Sequence, residues 1–483
     1  MLDPLFSQNT VGADTTIATP YGTFPLIYAD WAASGRLYDP IEKKMQTFFG
    51  TFVANTHTES NATGTAMTQA YHEARHIIKT HVHANNDDVL LFAGSGMTGA
   101  VTLFQRLLGW RIYERYQGAF DIPVGERPVV FVSELEHHSN HTSWTETIAD
   151  VVVVPQSKES PFDLDALKKL LRRYKDRTIK VAAVTAASNV TGVRLDVHAI
   201  ATVMHAHSGL CFVDYTCAAP YDPIAMHSGA RASLDAVYFS PHKFLGGPGT
   251  PGVLLFNKKL YKNEVPDRPG GGTVLWTNPW GEKSYYEDIE TREDGGTPPF
   301  LGAIRAALAV KLKEKMELTA LREREDTIVR KVFAGLKNTV GLRMLADEHT
   351  ERLAVFALSY DDLHYNLVTR LLNDRFGIQV RGGCACAGTY GHRLFSIGKE
   401  RSREITGRID SGDLSIKPGF VRVSFHPTMT DETVDYIVGA LKEVALHGKK
   451  WSNDYTYDSE TNEFTHVSGG VGSPLSLEDG FAM

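Results

Sequence analysis

Short apolar runs rich in β-branched residues recur along the first half of the chain and alternate with segments of helical periodicity. Apolar residues repeat at three- and four-residue spacing over residues 164–174 and again over 197–207. This alternation predicts an α/β fold, with a mostly parallel sheet covered by helices and ligands bound at the carboxyl ends of the strands. We predict seven buried strands, at residues 89–92, 129–132, 151–154, 181–184, 211–213, 237–239 and 253–256.

The length of 483 residues exceeds what one compact core usually organises, so the sequence predicts two domains. A Gly/Pro-rich stretch, Asp294-Gly-Gly-Thr-Pro-Pro-Phe300, interrupts the pattern and precedes one long charged helical segment over residues 301–336. Strand-like runs at 354–359 and 420–425 indicate a smaller α+β domain. We therefore predict an N-terminal arm (1–27), a large domain (28–300), a small C-terminal domain (301–449) and a flexible tail (450–483).

Charge and composition restrict the class of ligand. Lys+Arg of 50 against Asp+Glu of 57 gives 50 − 57 = −7, the wrong sign for a nucleic-acid-binding protein. No apolar run reaches membrane-spanning length and no leader-like segment opens the sequence, so we expect no membrane partner and a cytoplasmic location. Four cysteines in so long a chain do not form a disulfide framework. Small metabolites are the expected ligands.

The segment Ser240-Pro-His-Lys243 follows one of the predicted strands and precedes the glycine-rich run Gly246-Gly-Pro-Gly249. A lysine that leaves a buried strand can lose solvation, and a poorly solvated amine is suited to imine chemistry. The alternative is a surface lysine beside a simple turn.

Two further motifs follow predicted strands. Asp214 ends the run Cys211-Phe-Val-Asp214, and a buried carboxylate requires a partner, either a protonated pyridine nitrogen or a nearby arginine. The run Gly94-Ser-Gly-Met-Thr98-Gly precedes a helical segment, where backbone N–H groups and the helix dipole bind anions such as phosphate. A plain strand-to-helix connection is the alternative for this run.

Together, and in this order, the motifs resemble the class V aminotransferase-fold enzymes, in particular their cysteine desulfurase branch, from residue 28 to about 446. The resemblance implies the pyridoxal-phosphate-dependent transferase fold of type I. It is carried by the blocks already quoted and by Tyr28-Ala-Asp-Trp-Ala-Ala-Ser34, Ser133-Glu-Leu-Glu-His137-His-Ser-Asn140, Ser188-Asn189-Val-Thr-Gly192 and Val421-Arg422-Val-Ser424.

The resemblance implies that pyridoxal 5'-phosphate is the cofactor and gives each matching residue a role. Lys243 forms the Schiff base and moves protons, His137 stacks on the ring with His138 as the alternative, and Asp214 contacts the pyridine nitrogen. Asn189 contacts cofactor and substrate, and Arg422 binds the α-carboxylate of a small amino-acid substrate. The phosphate ligands are Thr98, Ser240, His242 and, from the other subunit of a homodimer, the segment of Gly296 and Thr297.

The segment Arg381-Gly-Gly-Cys384-Ala-Cys386 indicates which bond is broken. In cysteine desulfurases a nucleophilic thiol lies on a loop at this distance past an arginine, and Cys386 occupies that position. The implied reaction converts L-cysteine to L-alanine and leaves the sulfur on Cys386 as a persulfide, which a sulfur-acceptor protein could receive. Cys384 remains open as the reactive thiol, because the pair is similar to the C-x-C segment of molybdenum-cofactor sulfurases. No metal is expected, although His392 lies nearby in sequence.

Three departures from the family pattern keep alternatives open. Cys217 stands where desulfurases commonly have a glutamine, Trp31 stands at a usually small or polar position, and a charged insertion spans residues 388–418. The alternative function is an aminotransferase or carbon–sulfur lyase of the same family that acts on another amino acid. A cofactor-binding scaffold without turnover is a third hypothesis.

Overall fold

The computed structural model describes residues 2–116, 118–119, 121–157, 159–229, 231–469 and 475–482. The strands are β1 Thr16–Thr19, β2 Gly22–Pro25, β3 Ile27–Tyr28, β4 Asp88–Ala93, β5 Val129–Ser133, β6 Asp150–Val154, β7 Lys180–Thr185, β8 Leu210–Asp214, β9 Ala236–Phe239, β10 Gly252–Asn257, β11 Val274–Thr277, β12 Lys283–Tyr285, β13 Leu342–Met344, β14 Val355–Tyr360, β15 Ile378–Gln379, β16 Arg381–Gly383, β17 Phe420–Ser424, β18 Tyr455–Asp458 and β19 Glu463–His466. The α-helices are α1 Leu5–Gln8, α2 Asp39–Lys44, α3 Ala62–His81, α4 Gly96–Leu107, α5 His138–Thr145, α6 Leu164–Arg173, α7 Val197–Ala206, α8 Ile289–Arg292, α9 Phe300–Lys315, α10 Leu318–Leu336, α11 Tyr365–Phe376, α12 Gly388–Leu394, α13 Lys399–Asp410, α14 Asp431–Trp451 and α15 Leu477–Phe481.

The larger of two compact units comprises Ser34–Ser188 and Val193–Arg322 and is called the large unit here. Its seven-stranded sheet has the order β4-β10-β9-β8-β7-β5-β6. Strands β9, β8, β7, β5 and β6 are parallel, whereas β10 runs antiparallel to both of its neighbours. The seven predicted strands and the α/β fold class are therefore confirmed.

Burial explains why these strands read as continuous apolar runs. Every residue of β4, β5, β7 and β9 is buried, as expected when helices cover both faces of a parallel sheet. The two predicted helices are present as α6 and α7. Each begins where an aspartate side chain, Asp163 or Asp196, accepts a hydrogen bond from a backbone N–H of the first turn.

The small unit comprises Met1–Ala33, Asn189–Gly192 and Glu323–Met483. Its antiparallel sheet has the order β13-β14-β17-β16, and one hydrophobic core packs residues of α10, α11 and α14 with residues of β14 and β17. Strand β3 pairs in parallel with β15, Ile27 opposite Ile378. Because of that pairing, the N-terminal segment belongs to the small unit rather than forming a separate arm.

The division of the chain also differs from the predicted boundary at residue 300. Helix α9 belongs to the large unit, where it packs along α3, and the division falls between Arg322 and Glu323 within α10. The single helical segment predicted over residues 301–336 is two helices, because Glu317 adopts a left-handed backbone conformation with φ of 60°. Periodicity alone does not reveal such a break.

The segment after residue 450 was predicted to be a flexible tail, and the structure differs there. Helix α14 continues to Trp451, and β18 and β19 form an antiparallel hairpin. Tyr455 is buried and its hydroxyl donates to Asp374, 2.9 Å away, while the Nδ2 of Asn462 donates to the Tyr365 hydroxyl at 2.8 Å. These hydrogen bonds to Asp374 and Tyr365, which are distant in sequence, hold the hairpin against the rest of the small unit. Residues 470–474 and 483 lie outside the described residues, and no helix among those described is long and apolar enough to cross a membrane.

Lys313 on α9 carries a buried amine that donates hydrogen bonds to the segment following Asp214. Its Nζ donates to the backbone oxygens of Ala219 and Asp222 at 2.7 and 2.6 Å, and the side chain is buried. Burial lowers the pKa of Lys313 to about 7, with partial compensation from the charge of Asp222. Loss of this amine leaves two carbonyls without their donor.

We expect Lys313→Met to reduce the free energy of unfolding by about 2 to 4 kcal/mol, the cost of unsatisfied buried acceptors. The folded-state pKa lies below the ordinary value, so the unfolded chain binds more protons between about pH 7 and 10. Wild-type stability therefore rises with pH across that window and the variant lacks this rise. Urea unfolding at two pH values measures both effects. Lys311→Met, on an exposed position of the same helix, is the control and should change stability by less than about 1 kcal/mol.

Candidate functional site

The carboxyl ends of the central parallel strands bring together the polar residues of the large unit. Thr185, Asp214 and Tyr238 lie in register at the ends of β7, β8 and β9. Asp214 is 3% exposed, and the backbone N–H of Thr216 donates to its Oδ1 at 2.8 Å. Burial raises the pKa of Asp214, whereas the hydrogen bonds from Thr216 and the charge of Lys243 lower it. A cation placed against this carboxylate would compensate its burial, which fits the pyridine nitrogen of the expected cofactor.

The start of α4 forms a cradle shaped for an anion. Gly96 has φ of 57°, and a Cβ at this position would lie 2.8 Å from Ser240 Oγ and 3.7 Å from His242 Cδ2. The backbone N–H of Met97 donates to Ser240 Oγ at 2.7 Å. The structure thus brings Ser240 and His242 to a helix N-terminus, where backbone N–H groups and the helix dipole favour phosphate. The close approach of Ser240 to the start of α4 requires a glycine at position 96.

Thr98, the third predicted phosphate ligand of this unit, lies in the first turn of α4. Its hydroxyl is 2.7 Å from the hydroxyl of Ser139 on α5. His137 precedes α5 as its N-cap, and its Nδ1 accepts from the Ser139 N–H at 3.1 Å. Ser139 thereby links the loop of His137 to the anion cradle.

Lys243 ends a single helical turn, Pro241–Lys243, that leaves β9. The backbone N–H of Lys243 donates to the oxygen of Ser240 at 3.2 Å, and its side chain is half-buried. Burial and the nearby charge of Lys243 lower the pKa of His242 to about 4, so its imidazole is neutral at physiological pH. A neutral imidazole can donate one hydrogen bond to a phosphate oxygen.

Glu136 is a fully buried carboxyl that the sequence analysis did not single out. It accepts hydrogen bonds from Ser133 Oγ at 2.5 Å, Asn140 Nδ2 at 2.7 Å and the Thr185 N–H at 3.0 Å. Burial raises the pKa of Glu136 to about 8 in spite of these donors. The network ties the loop of His137 to the end of β7. A carboxylate placed just after a predicted strand was the signal that could have identified it.

In the small unit, Asp30 joins two arginines that face each other across β16 and β17. Asp30 Oδ1 accepts from Arg422 Nη2 at 2.6 Å, and Oδ2 accepts from Arg381 Nε at 3.0 Å. Arg422 is 3% exposed and also donates from Nη1 to the backbone oxygen of Asn189 at 3.0 Å. Its Nε has no hydrogen-bond partner among the described residues. This orphaned donor is suited to a substrate carboxylate.

Asn189 connects this arginine to the cysteine segment. Its Nδ2 donates to the backbone oxygen of Ala385 at 2.7 Å, and its Oδ1 is buried without a partner in the part of the chain that the structure describes. The N–H of Ala387 donates to the oxygen of Cys384 at 3.0 Å, which closes a four-residue turn. Ala385 and Cys386 have φ of 47° and 57° in that turn, as in a type I′ turn. The Cys386 side chain is exposed on it.

The structure shows where the three departures from the family pattern lie, namely the insertion at residues 388–418, Trp31 and Cys217. The charged insertion forms α12 and α13, a pair of short helices beside the cysteine turn. The Trp31 ring stacks on His426 with centroids 4.2 Å apart, so it is a packing residue of the small unit. The thiol of Cys217 is buried and lies 3.7 Å from the backbone oxygen of Ser188.

The predicted site residues thus form two groups, one in each unit. The large unit brings together Ser240, His242, Lys243, Asp214 and the linked pair of Thr98 and the His137 loop, and the small unit brings together Asn189, Arg422 and the Cys386 turn. Thr297 is exposed in the large unit. Within the described residues no cluster of three or more His, Cys, Asp or Glu side chains could hold a metal ion.

A mixed sheet whose strand ends carry a glycine-rich helix start, a buried carboxylate and a lysine defines an α/β protein of the kind that binds ligands at the carboxyl ends of its strands. The sequence model of the aminotransferase class-V family matches residues 27–437. The chain belongs to this family, which confirms the resemblance seen in the sequence.

Individual relatives and solved structures agree with this family. The chain is 26% identical over 367 residues to a probable cysteine desulfurase from Halalkalibacterium halodurans, covering 75% of this chain and 84% of the relative. A probable cysteine desulfurase from Staphylococcus epidermidis is 25% identical over 86% of this chain and 92% of its own.

Two solved structures share the fold. The apo cysteine desulfurase from Thermococcus onnurineus NA1 has a TM-score of 0.73 at 20% identity, covering 92% of this chain and 98% of that one. The S-sulfonic acid form of the Escherichia coli cysteine desulfurase CsdA has a TM-score of 0.70 at 22% identity, covering 92% and 99%.

Proposed function

We propose that this protein is a pyridoxal-phosphate-dependent cysteine desulfurase, which converts L-cysteine to L-alanine and receives the sulfur on Cys386. One observation carries the proposal beyond the family: Asn189 contacts both the carboxylate-binding candidate Arg422 and the turn that exposes Cys386. The same residue therefore ties the group that would orient a substrate amino acid to the thiol that would accept its sulfur.

The residues of the large unit would hold the cofactor. Ser240, His242 and Thr98, with the N–H groups at the start of α4, would bind the phosphate, and His137 would pack on the ring. Asp214 would hold a proton on the pyridine nitrogen, and the cofactor, when bound, supplies an electron sink for the substrate α-carbon. Lys243 would anchor the cofactor and carry protons to and from that carbon.

The residues of the small unit would orient the substrate and take up the sulfur. Arg422 would bind the substrate α-carboxylate, and its buried charge is already compensated by Asp30. The Cys386 thiolate would attack the substrate sulfur, so that an S–S bond forms and the substrate C–S bond breaks. The carbon fragment takes up a proton and leaves as alanine. The balance is one L-cysteine and one thiol to one L-alanine and one persulfide.

Purified holoenzyme incubated with L-cysteine and a thiol reductant tests this function. We expect alanine and sulfide in equal amounts, measured by amino-acid analysis and a sulfide assay. Formation of a keto acid, or of pyruvate and ammonia, without alanine would contradict the proposal. That outcome would favour the aminotransferase or carbon–sulfur lyase that Cys217 and the insertion left open.

A homodimer, a sulfur-acceptor protein and a cytoplasmic location remain part of the proposal. The exposed Thr297, on a family segment that reaches the partner's phosphate, supports the dimer. Light scattering of the holoenzyme should give twice the mass of one chain. A monomer with full activity would contradict this prediction.

A further inference from the structure

The cysteine turn carries a second thiol that the reaction proposed above does not use. Cys384 is half-buried and its Sγ donates to the backbone oxygen of Pro418, 2.9 Å away, whereas Cys386 is exposed. Cys384 is the first residue of the four-residue turn and Cys386 the third. A disulfide requires Cα atoms roughly 4.4 to 6.8 Å apart. A turn that closes Cys384 onto Ala387 keeps its first and third residues within that range.

The surroundings of Cys384 differ from those of Cys386. Burial raises the pKa of the Cys384 thiol, Lys417 opposes that effect, and the Cys386 thiol adds to it. Both thiols lie on the same turn, two residues apart. Cys384 is therefore a half-buried thiol whose protonated form is favoured by burial, with Lys417 favouring its ionised form.

The backbone that carries the two thiols is held under strain. Left-handed backbone conformations are unfavourable for a residue with a side chain, and this turn has two of them in succession, Ala385 and Cys386. The hydrogen bond from Asn189 to the Ala385 oxygen offsets part of that cost. The folded chain thus keeps both cysteines in one tight turn, although the backbone conformation of that turn is unfavourable.

We propose that Cys384 is a resolving thiol, which discharges the Cys386 persulfide as hydrosulfide. The Cys384 sulfur attacks the Cys386 Sγ, a new S–S bond forms between them, and the bond from Cys386 to the terminal sulfur breaks. The persulfide reacts as its anion: the electron pair of that bond leaves with the terminal sulfur, which takes the proton of Cys384 and departs as hydrosulfide. A dithiol reductant then returns the disulfide to two thiols. This inference rests on the proposed function, since that reaction supplies the persulfide.

The test uses two ways of loading Cys386 and reads the mass of the peptide that contains residues 384–386. In the first, holoenzyme is given one equivalent of L-cysteine per subunit, so that no thiol remains in solution to act as a reductant. In the second, sodium tetrasulfide places sulfane sulfur on the exposed thiol without any cofactor chemistry. In both, we expect the wild-type peptide to lose two hydrogens, with release of sulfide. The Cys384→Ser variant should instead retain one extra sulfur and release no sulfide until a reductant is added.

The two loading routes separate the two hypotheses. If L-cysteine yields no alanine but tetrasulfide treatment still produces the disulfide, the desulfurase function is refuted. The resolving role of Cys384 is then still supported. A wild-type peptide that keeps its persulfide after tetrasulfide treatment, as Cys384→Ser does, would overturn the resolving role whatever the first route shows. Cys386→Ser, which cannot carry the persulfide, should show neither product.

Discussion

Replacing Lys243 with alanine should lower alanine formation from L-cysteine by at least about 10³-fold, because the variant loses both the cofactor anchor and the group that moves protons. The backbone N–H of Lys243 already donates to Ser240, so the turn itself should survive the substitution. Borohydride reduction followed by peptide mapping gives a readout apart from activity. In the wild type the cofactor should remain attached to the peptide of Lys243, and in the variant to no peptide.

The control for this experiment is Lys258→Ala in the same unit. Lys258 is half-exposed and pairs with Asp87 on the surface, so its loss should change the rate by less than about twofold. Cofactor attached to another lysine in wild-type protein would contradict the assignment of Lys243. Retention of most of the activity in Lys243→Ala would contradict it as well.

Replacing Cys386 with alanine should lower the rate of sulfur transfer by at least about 10²-fold, while the cofactor remains attached to Lys243. Alanine forms only if a thiol receives the sulfur, and Cys384 is half-buried with its thiol bonded to Pro418. The measurement is alanine per subunit in a single turnover, together with the borohydride test on Lys243. Lys399→Ala, at the exposed start of α13, is the control for general disturbance of the inserted helices.

The Cys386 variant also separates the two functions that the family pattern allows. A transaminase or lyase would form its products without this thiol, so full turnover by Cys386→Ala would refute the desulfurase. Loss of activity with normal cofactor attachment would make Cys386 the sulfur acceptor rather than Cys384. The choice between the two thiols was open in the sequence because Cys384 and Cys386 form a C-x-C pair rather than a lone cysteine.

The structure gives a physical reason to favour Cys386. Burial raises the pKa of Cys384, which disfavours its thiolate, while Cys386 is exposed on the turn. Exposure of a thiol on a tight turn depends on the backbone angles of Ala385 and Cys386. Neither residue type predicts a left-handed conformation, so the sequence could not distinguish them.

The sequence by itself determined the strands of the large unit and the position of Lys243 and Asp214 at their carboxyl ends. Continuous β-branched runs are a local signal, since a strand buried on both faces must be apolar at every position. The glycine-rich run at residues 94–99 likewise follows β4 and opens α4, because glycines between a strand pattern and a helix pattern are a local signal of such a connection. These features depend on neighbours along the chain, and so they could be read from it.

Tertiary structure alone decided which distant residues support the site. Asp30 meets Arg422 across 392 positions of sequence, and Asn189 meets Ala385 across 196. The hairpin of β18 and β19 is ordered by partners such as Asp374, and α9 belongs to the large unit because it packs along α3. Such pairings arise when buried charges and donors must find partners in the folded chain. No local pattern of residue types specifies which partner each of them will find.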